Sequence, residues 1–179
     1  MENVQPIKDR KLIEDIKTFY LGKERDYFLF AFGINIALRI SDLLQLKVKD
    51  VRGKDSLKLY ETKNKNNRYQ KLSPQLKNLI SEYTKDMDDN DWLFLSQKGD
   101  KPISRVQAHR ILEKAEKAFK LESFGTHSLR KTFGYLHYQR HKDVAILQRM
   151  FGHSSPSITL RYIGVEQDEQ DKSTENFFI

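Results

Sequence analysis

Cysteine is missing altogether from this chain of 179 residues. That excludes a disulfide framework, a thiolate nucleophile and any cysteine-ligated metal site. Glycine and proline are scarce, at 8 and 4 residues, and neither an internal repeat nor a low-complexity linker occurs. No glycine-rich phosphate loop is present, since "GKERDY" and "GKDSL" lack the P-loop spacing; this argues against an ATP-driven motor. No apolar run is long enough to span a bilayer, and the opening "MENVQPIKDRKLIEDIK" lacks the apolar stretch of a signal peptide. These absences fit a cytoplasmic protein with no membrane partner.

What the chain does have is a folded composition and an uneven charge. Hydrophobic residues make up 38% and aromatic residues 11%, enough to build a core at this length. The net charge is +7, yet Glu166, Asp168, Glu169, Asp171 and Glu175 crowd the end, opposed only by Lys172. Residues 1–164 therefore carry 31 basic against 20 acidic side chains. A body with that excess attracts a polyanion, most commonly a nucleic acid, although a merely soluble basic surface is the plainer reading.

Periodicity and capping signals predict a mainly α domain with a small antiparallel β-sheet, an α+β arrangement. "KLIEDIKTFYL" and "RDYFLFAFGINIAL" read as two helices broken near Gly22. "SDLLQLKVKDV" reads as a serine cap leading into a short helix, and "SLKLYET" with "RYQKLS" as paired strands joined by "KNKNN". Ser73-Pro74 opens a helix through "PQLKNLISEYTKDM". "DDNDWLFLSQKGDKPIS" reads as a loop with a short apolar strand at its centre, and Ser104 starts a long helix to about Phe119. Gly125-Thr126 sets up a helix from His127 to about Arg140; Asp143 caps "VAILQRM", which Gly152 ends. Ser155 then caps a helix that Pro156 begins. The closing "FFI" is apolar at the end of a solvated acidic tail, an odd choice unless it docks on something.

Candidate chemistry is spread along the chain, and each piece has a bland reading. Arg39 lies between Leu38 and Ile40, which points to a partly buried guanidinium in need of an anion, where a surface arginine is the default. His127 and Arg130 in "HSLR" share a face in the first turns of a helix, a place that suits a phosphate as well as a capping histidine. His153 precedes another helix start, and Tyr162 follows it by nine positions; most tyrosines simply pack. Lys63 belongs to a basic hairpin with Lys58, Lys65, Arg68 and Lys71, side chains that track phosphates or are merely solvated. His137 and His141 stand at i, i+4, a spacing metals use, but no glutamate lies inside "HYQRH" as a zinc protease requires. "DMDDND" gathers aspartates without an EF-hand pattern and reads as a turn. No metal or cofactor is expected.

Taken in chain order, arginine, lysine, His-x-x-Arg, histidine and tyrosine make a set that resembles the catalytic domain of the tyrosine recombinases, the phage integrase family. The resemblance runs from about Pro6 to Gly164. "ALRISDLLQLKVKDV" is similar to the first-arginine box, with Arg39 in the catalytic place and Asp42 in the usual acidic one. "ETKNKNNRYQKLS" is similar to the lysine hairpin, where Lys63 matches better than Lys65. "THSLRKTFG" is similar to the His-x-x-Arg box, and "MFGHSSPSITLRYIG" to the Leu-Gly-His box and its tyrosine. Two departures keep an apolar or small neighbour: Ile36-Ala37 replace the usual Thr-Gly, and Phe151 replaces a leucine.

The resemblance implies that Tyr162 attacks a DNA phosphodiester and leaves a 3′-phosphotyrosine link, so that religation needs neither ATP nor metal. Arg39, Arg130 and His153 would hold the non-bridging oxygens, His127 would take or position the tyrosine proton, and Lys63 would protonate the leaving oxygen. Lys58, Lys65, Arg68, Lys71 and Lys131 would contact DNA. The expected partners are double-stranded DNA and further copies of the chain, as dimer to tetramer on that DNA. Residues 1–164 are expected to form the catalytic domain, and 165–179 an acidic tail that docks on a neighbouring subunit. Most family members also carry an N-terminal helical clamp domain, which implies either an isolated catalytic domain or a minimal member. Two other readings remain: a nicking-closing enzyme of the type IB topoisomerase kind, and a DNA-binding accessory protein or regulator with an idle site. An RNA-binding protein is more remote, because no aromatic stacking motif on a sheet is visible.

Overall fold

A computed structural model describes residues 4–60, 67–97 and 99–178. Helix α1 (Arg10–Phe19) starts where the Asp9 carboxylate accepts the Lys11 amide at 2.8 Å, and it turns Ile13 and Ile16 inward. Helix α2 (Glu24–Gly33) is apolar on every side through "FLFAFG", and such a helix is stable only when it is surrounded. It is: Phe28, Leu29, Phe30 and Phe32 are fully buried, and α1 lies against it.

The helix predicted to continue to Leu38 stops at Gly33. From there the chain runs past Ile34–Leu38, where two backbone groups turn to a side chain instead of to a helix. Gln70 accepts the Ala37 amide at 2.9 Å and donates to the Asn35 carbonyl at 2.8 Å. The short helices α3 (Ile40–Leu43) and α4 (Val48–Val51) follow. The serine cap expected at Ser41 is not the one formed. Arg39 is the capping position, extended at φ −70° and ψ 151°, and its carbonyl accepts the Asp42 and Leu43 amides at 3.0 and 2.9 Å.

Strands β1 (Ser56–Tyr60) and β2 (Asn67–Lys71) pair antiparallel, with Leu57 opposite Gln70 and Lys58 opposite Tyr69. This register buries Leu57 beside Gln70 and leaves Lys58 and Tyr69 exposed, and the two Gln70 bonds fasten the hairpin to the segment that leads into Arg39. Helix α5 (Pro74–Thr84) begins at the Ser73 cap and ends three residues short of Met87. Arg52 reaches across from α4 to the Thr84 hydroxyl at 3.2 Å and to Asp89 at 3.0 Å. The apolar run after it does not form the predicted strand. Its backbone bonds go to different segments, Leu93 to Leu46 at 2.9 Å and Ile103 to Phe94 at 2.8 Å, so only isolated bridges form.

Four helices complete the body and carry the site. Helix α6 (Arg105–Phe119) is opened by Ser104, whose hydroxyl accepts the Gln107 amide while the Gln107 side chain accepts the Ser104 amide. Helix α7 (Thr126–His141) packs on α2 and α6. Helix α8 (Val144–Phe151) is capped by Asp143 and closed by Gly152, and helix α9 (Pro156–Ile163) is capped by Ser155. Gly164, at φ +78°, turns the chain without strain into α10 (Val165–Thr174). The acidic tail is therefore a helix over most of its length. Only Val165 of α10 is buried; Lys8 pairs with Asp168, and Arg161 with Glu166 at 3.0 Å. Phe177 and Phe178 are 70% and 97% exposed. No helix among the described residues is long and apolar enough to cross a membrane.

Candidate active site

The site is built where α7, α8 and α9 meet, and one glycine permits the meeting. A Cβ on Gly134 would stand 2.6 Å from Ile163 Cγ2 and 2.7 Å from Phe151 Cζ, so α8 and α9 lie directly on the α7 backbone. That contact fixes Tyr162, the residue before Ile163, above the first half of α7.

Tyr162 sits in a cluster of rings. The His153 ring meets it edge-on with centroids 5.2 Å apart, and the Phe151 ring does so at 5.5 Å. His153 is held from both sides: its Nδ1 pairs with the buried Thr159 hydroxyl at 3.0 Å, and its carbonyl accepts from Gln148 Nε2 at 3.2 Å. The Thr159 contact at Nδ1 fixes the orientation of the ring.

Arg130, at 4% exposure, donates from Nη2 to the Phe151 carbonyl at 3.0 Å, and its guanidinium carbon lies 4.7 Å from the Phe151 ring centroid. Phe151 is thus the floor on which the arginine, the histidine and the tyrosine all rest. The sequence showed it only as a substitute for leucine; its aromatic ring supplies a stacking face for the guanidinium that leucine would not.

Two further residues join through electrostatics. Burial raises the pKa of the Tyr162 phenol above its ordinary value, and the cations of Arg130 and then Arg39 oppose that rise. For His127, on the first turn of α7, desolvation lowers the pKa, helped in turn by Arg130, Lys131, Arg39 and Arg105. Arg39 is half-buried. Arg39, His127, Arg130, His153 and Tyr162 therefore come from three separate stretches of sequence to one place. Arg130 and Arg39 thus act electrostatically on both the Tyr162 phenol and the His127 imidazole. Such a set can receive an oxyanion and take up a phenolic proton.

Lys63 and Lys65 lie outside the described residues, as does the Arg68 side chain, whose backbone pairs with Leu59. Lys58 and Lys71 are exposed on the hairpin. Lys131 is turned inward: it is 8% exposed, donates to the Val4 carbonyl at 2.7 Å and stands 5.2 Å from the Tyr162 ring centroid. Arg105 was not anticipated, although a basic residue directly after a serine cap is a readable sign of a charge at a helix start. Among the described residues no cluster of three or more metal-ligating side chains occurs.

Comparison with known proteins agrees with this fold. The model of the phage integrase family matches residues 8–169. The chain is 57% identical over 169 residues to the "Probable integrase/recombinase YoeC" of Bacillus subtilis, covering 94% of this chain and 93% of that one. It is 31% identical over 170 residues to the tyrosine recombinase XerC of Caldanaerobacter subterraneus subsp. tengcongensis, covering 90% of this chain but 47% of the relative. The chain thus spans nearly the whole of one relative and about half of others. Among solved structures, XerA recombinase superposes with a TM-score of 0.75 at 19% identity, over 97% of this chain and 65% of that one. XerH bound to its difH substrate in a pre-cleavage complex gives 0.73 at 20% identity, over 94% and 55%. With a helical body, a two-stranded sheet and a tyrosine set among arginines and histidines, the chain belongs to the phage integrase family, as a tyrosine recombinase catalytic domain.

Proposed function

We propose that this chain cleaves and rejoins DNA at a specific site through a 3′-phosphotyrosine intermediate. The observation that carries the reading is the placing of Tyr162 against His153 and Phe151, within the field of Arg130 and Arg39. In the reaction the Tyr162 oxygen attacks phosphorus, the bond from phosphorus to the 5′ oxygen breaks, and the 5′ hydroxyl leaves. His127, kept neutral at pH 7 by desolvation and its cationic neighbours, receives the phenolic proton. Arg39, Arg130 and His153 bind the non-bridging oxygens, where charge grows in the transition state. Lys63 supplies the proton to the departing oxygen. The phosphotyrosine link conserves the bond energy, so the reverse attack by a 5′ hydroxyl on a new strand needs no ATP, and no step calls for a metal.

Double-stranded DNA is the partner that the charge of the body favours, and XerH, of the same fold, is bound to its difH substrate. Lys58, Lys65, Arg68 and Lys71 track phosphates along the hairpin. Residues 1–164 make the catalytic domain, and 165–179 dock on a second copy when dimers or tetramers assemble on DNA. Supporting this, the tail joins acidic side chains to exposed Phe177 and Phe178. A groove between α1, the hairpin and α7–α8 has the complementary character, with Arg10, Lys17, Lys71 and Arg140 around Phe133 and Met150. Deleting residues 170–179 should abolish assembly on DNA; unchanged assembly would sink the docking.

The central test uses a nicked duplex from which the cleaved fragment diffuses away, with EDTA present. A protein–DNA adduct on a denaturing gel that vanishes in Tyr162→Phe supports the reading. Binding without adduct across candidate sites, also with a clamp domain fused, would leave a DNA-binding accessory protein. Relaxation of supercoils without exchange between two sites would indicate a nicking-closing enzyme.

A further inference from the structure

Sequence position makes Lys131 one more basic residue beside the His-x-x-Arg box, a natural phosphate contact. Its surroundings say otherwise. A lysine that meets phosphate projects into solvent, whereas Lys131 is 8% exposed. A buried ammonium needs acceptors. One is the Val4 carbonyl at 2.7 Å, and the Tyr162 ring lies across the ammonium at 5.2 Å from its centroid.

The carbonyl belongs to a fastened segment. The Gln5 amide donates to the Ser123 carbonyl at 2.9 Å, and the Ile7 amide to the Thr132 hydroxyl at 2.8 Å. Pro6 packs against the turn that follows Tyr162: a Cβ on Gly164 would stand 3.5 Å from Pro6 Cγ. Residues 4–7 therefore touch the entry to α7, its second turn and the α9–α10 junction. Lys131 itself contacts both this segment and the phenol ring.

We propose that Lys131 is a positioning residue for Tyr162, a cationic pin between the Val4 carbonyl and the phenol ring that sets the ring's orientation, and not a contact to DNA. The proposal rests on the reading of Tyr162 as the nucleophile. The cation against the ring face limits its tilt. In that reading Arg130 and Arg39 hold the phosphate, while the pin acts on the phenol by contact and on His127 through its charge. Burial pushes the Lys131 ammonium toward deprotonation, and the two acceptors keep it in place.

The test uses the full chain labelled with tyrosine carrying 13C at Cζ, the Tyr162 resonance being assigned from Tyr162→Phe. Wild type is compared with Lys131→Met, Lys131→Gln and Lys131→Arg. Lys131→Met and Lys131→Gln are expected to move the Tyr162 resonance. They should also slow single-turnover cleavage of the nicked duplex by about ten- to a hundredfold, the scale of a misplaced reacting group. DNA affinity and its salt dependence should stay as in wild type, and Lys131→Arg should restore both resonance and rate. If Lys131→Met does not fold, Lys131→Gln carries the same comparison, because it keeps a donor for Val4 without the charge. An unmoved Tyr162 resonance overturns the proposal. So does weaker binding with the salt slope reduced by about one, the mark of a phosphate contact. Should wild type form no adduct at all, the reading of Tyr162 as a nucleophile fails, and the resonance still decides whether the pin exists.

Discussion

Helices α2 and α7 pack against each other at the centre of the molecule, and both are buried through their middle, yet they are made of opposite materials. Helix α2 buries Phe28, Leu29, Phe30, Ala31 and Phe32, while α7 buries Ser128, Leu129, Arg130, Lys131 and Thr132. The first is a hydrophobic strut whose burial stabilises the fold by roughly 1.5–3 kcal/mol per large side chain. The second takes two cations out of water, at a desolvation cost that contacts such as those to the Phe151 and Val4 carbonyls offset. The comparison teaches a division of labour: α2 holds the molecule together so that α7 can carry charge at its centre.

The largest expected effects test each half of that division. Phe30→Ala empties a fully buried position and should lower stability by about 3–5 kcal/mol, read from the urea midpoint, without removing any group of the site. Arg130→Met should behave in the opposite way. Adduct formation should fall by roughly 10²–10³-fold, as for loss of a charged donor to a developing oxyanion. Stability should hold or rise, because an apolar side chain of similar length replaces a buried charge. If Arg130→Met unfolds the protein as readily as Phe30→Ala does, α7 is a structural helix like α2 and the comparison collapses.

The same contrast marks what could be read in the sequence. The core role of α2 was legible because an all-apolar run has one stable location. Caps were legible too, at Ser73, Ser104, Asp143 and Ser155, because each is a bond between neighbours three residues apart. Where partners are distant, the reading failed. The end of α2 depends on Gln70, more than thirty positions on, and the inward turn of Lys131 depends on Val4, 127 positions back. Ser41 lost its expected cap because Arg39 carries the extended backbone that the cap position needs. The strand expected at Trp92–Leu95 had the right composition but no single partner to run beside. The sequence reads as a solvated acidic tail, yet the tail is helical over Val165–Thr174, with Val165 buried and ion pairs to Lys8 and Arg161. Arg39, His127, Arg130, His153 and Tyr162 stand out in the sequence through the resemblance to the tyrosine recombinases, whereas Phe151 beside Arg130 and Thr159 as the partner of His153 do not, since both look like ordinary helix residues.

A smaller effect sharpens how α7 meets its neighbours. Gly134→Ala places a methyl within 2.8 Å of Ile163 and Phe151, so α9 must move outward. Overpacking of this kind costs about 1–3 kcal/mol, against a gain of up to ~1 kcal/mol in helix propensity. Net stability should drop modestly in a thermal melt, while cleavage drops more than DNA binding, because the shifted helix carries Tyr162. Equal losses in both would mean that the contact serves packing only.

The smallest effect is a dependence on acid, and it should map to α7 alone. Desolvation lowers the pKa of His127, with Arg130 as the next cause, and it lowers that of His137, aided by His141 and opposed by Asp143. Both rings therefore resist protonation in the fold more than they do in the unfolded chain, whose ordinary value is 6.5. Above that value both states are neutral and nothing is lost. As pH falls below it, the unfolded chain takes up protons that the folded chain refuses, so stability declines toward the depressed folded values. Helix α2 carries no histidine and should contribute nothing to this decline. Melting temperatures at pH 7.5 and 5.5 should differ less in His127→Gln and in His137→Gln than in wild type, with the two reductions adding in the double variant. An undiminished difference in both would place the acid sensitivity outside α7, and the cost of charge at the centre of the fold would have to be sought in Arg130 and Lys131 alone.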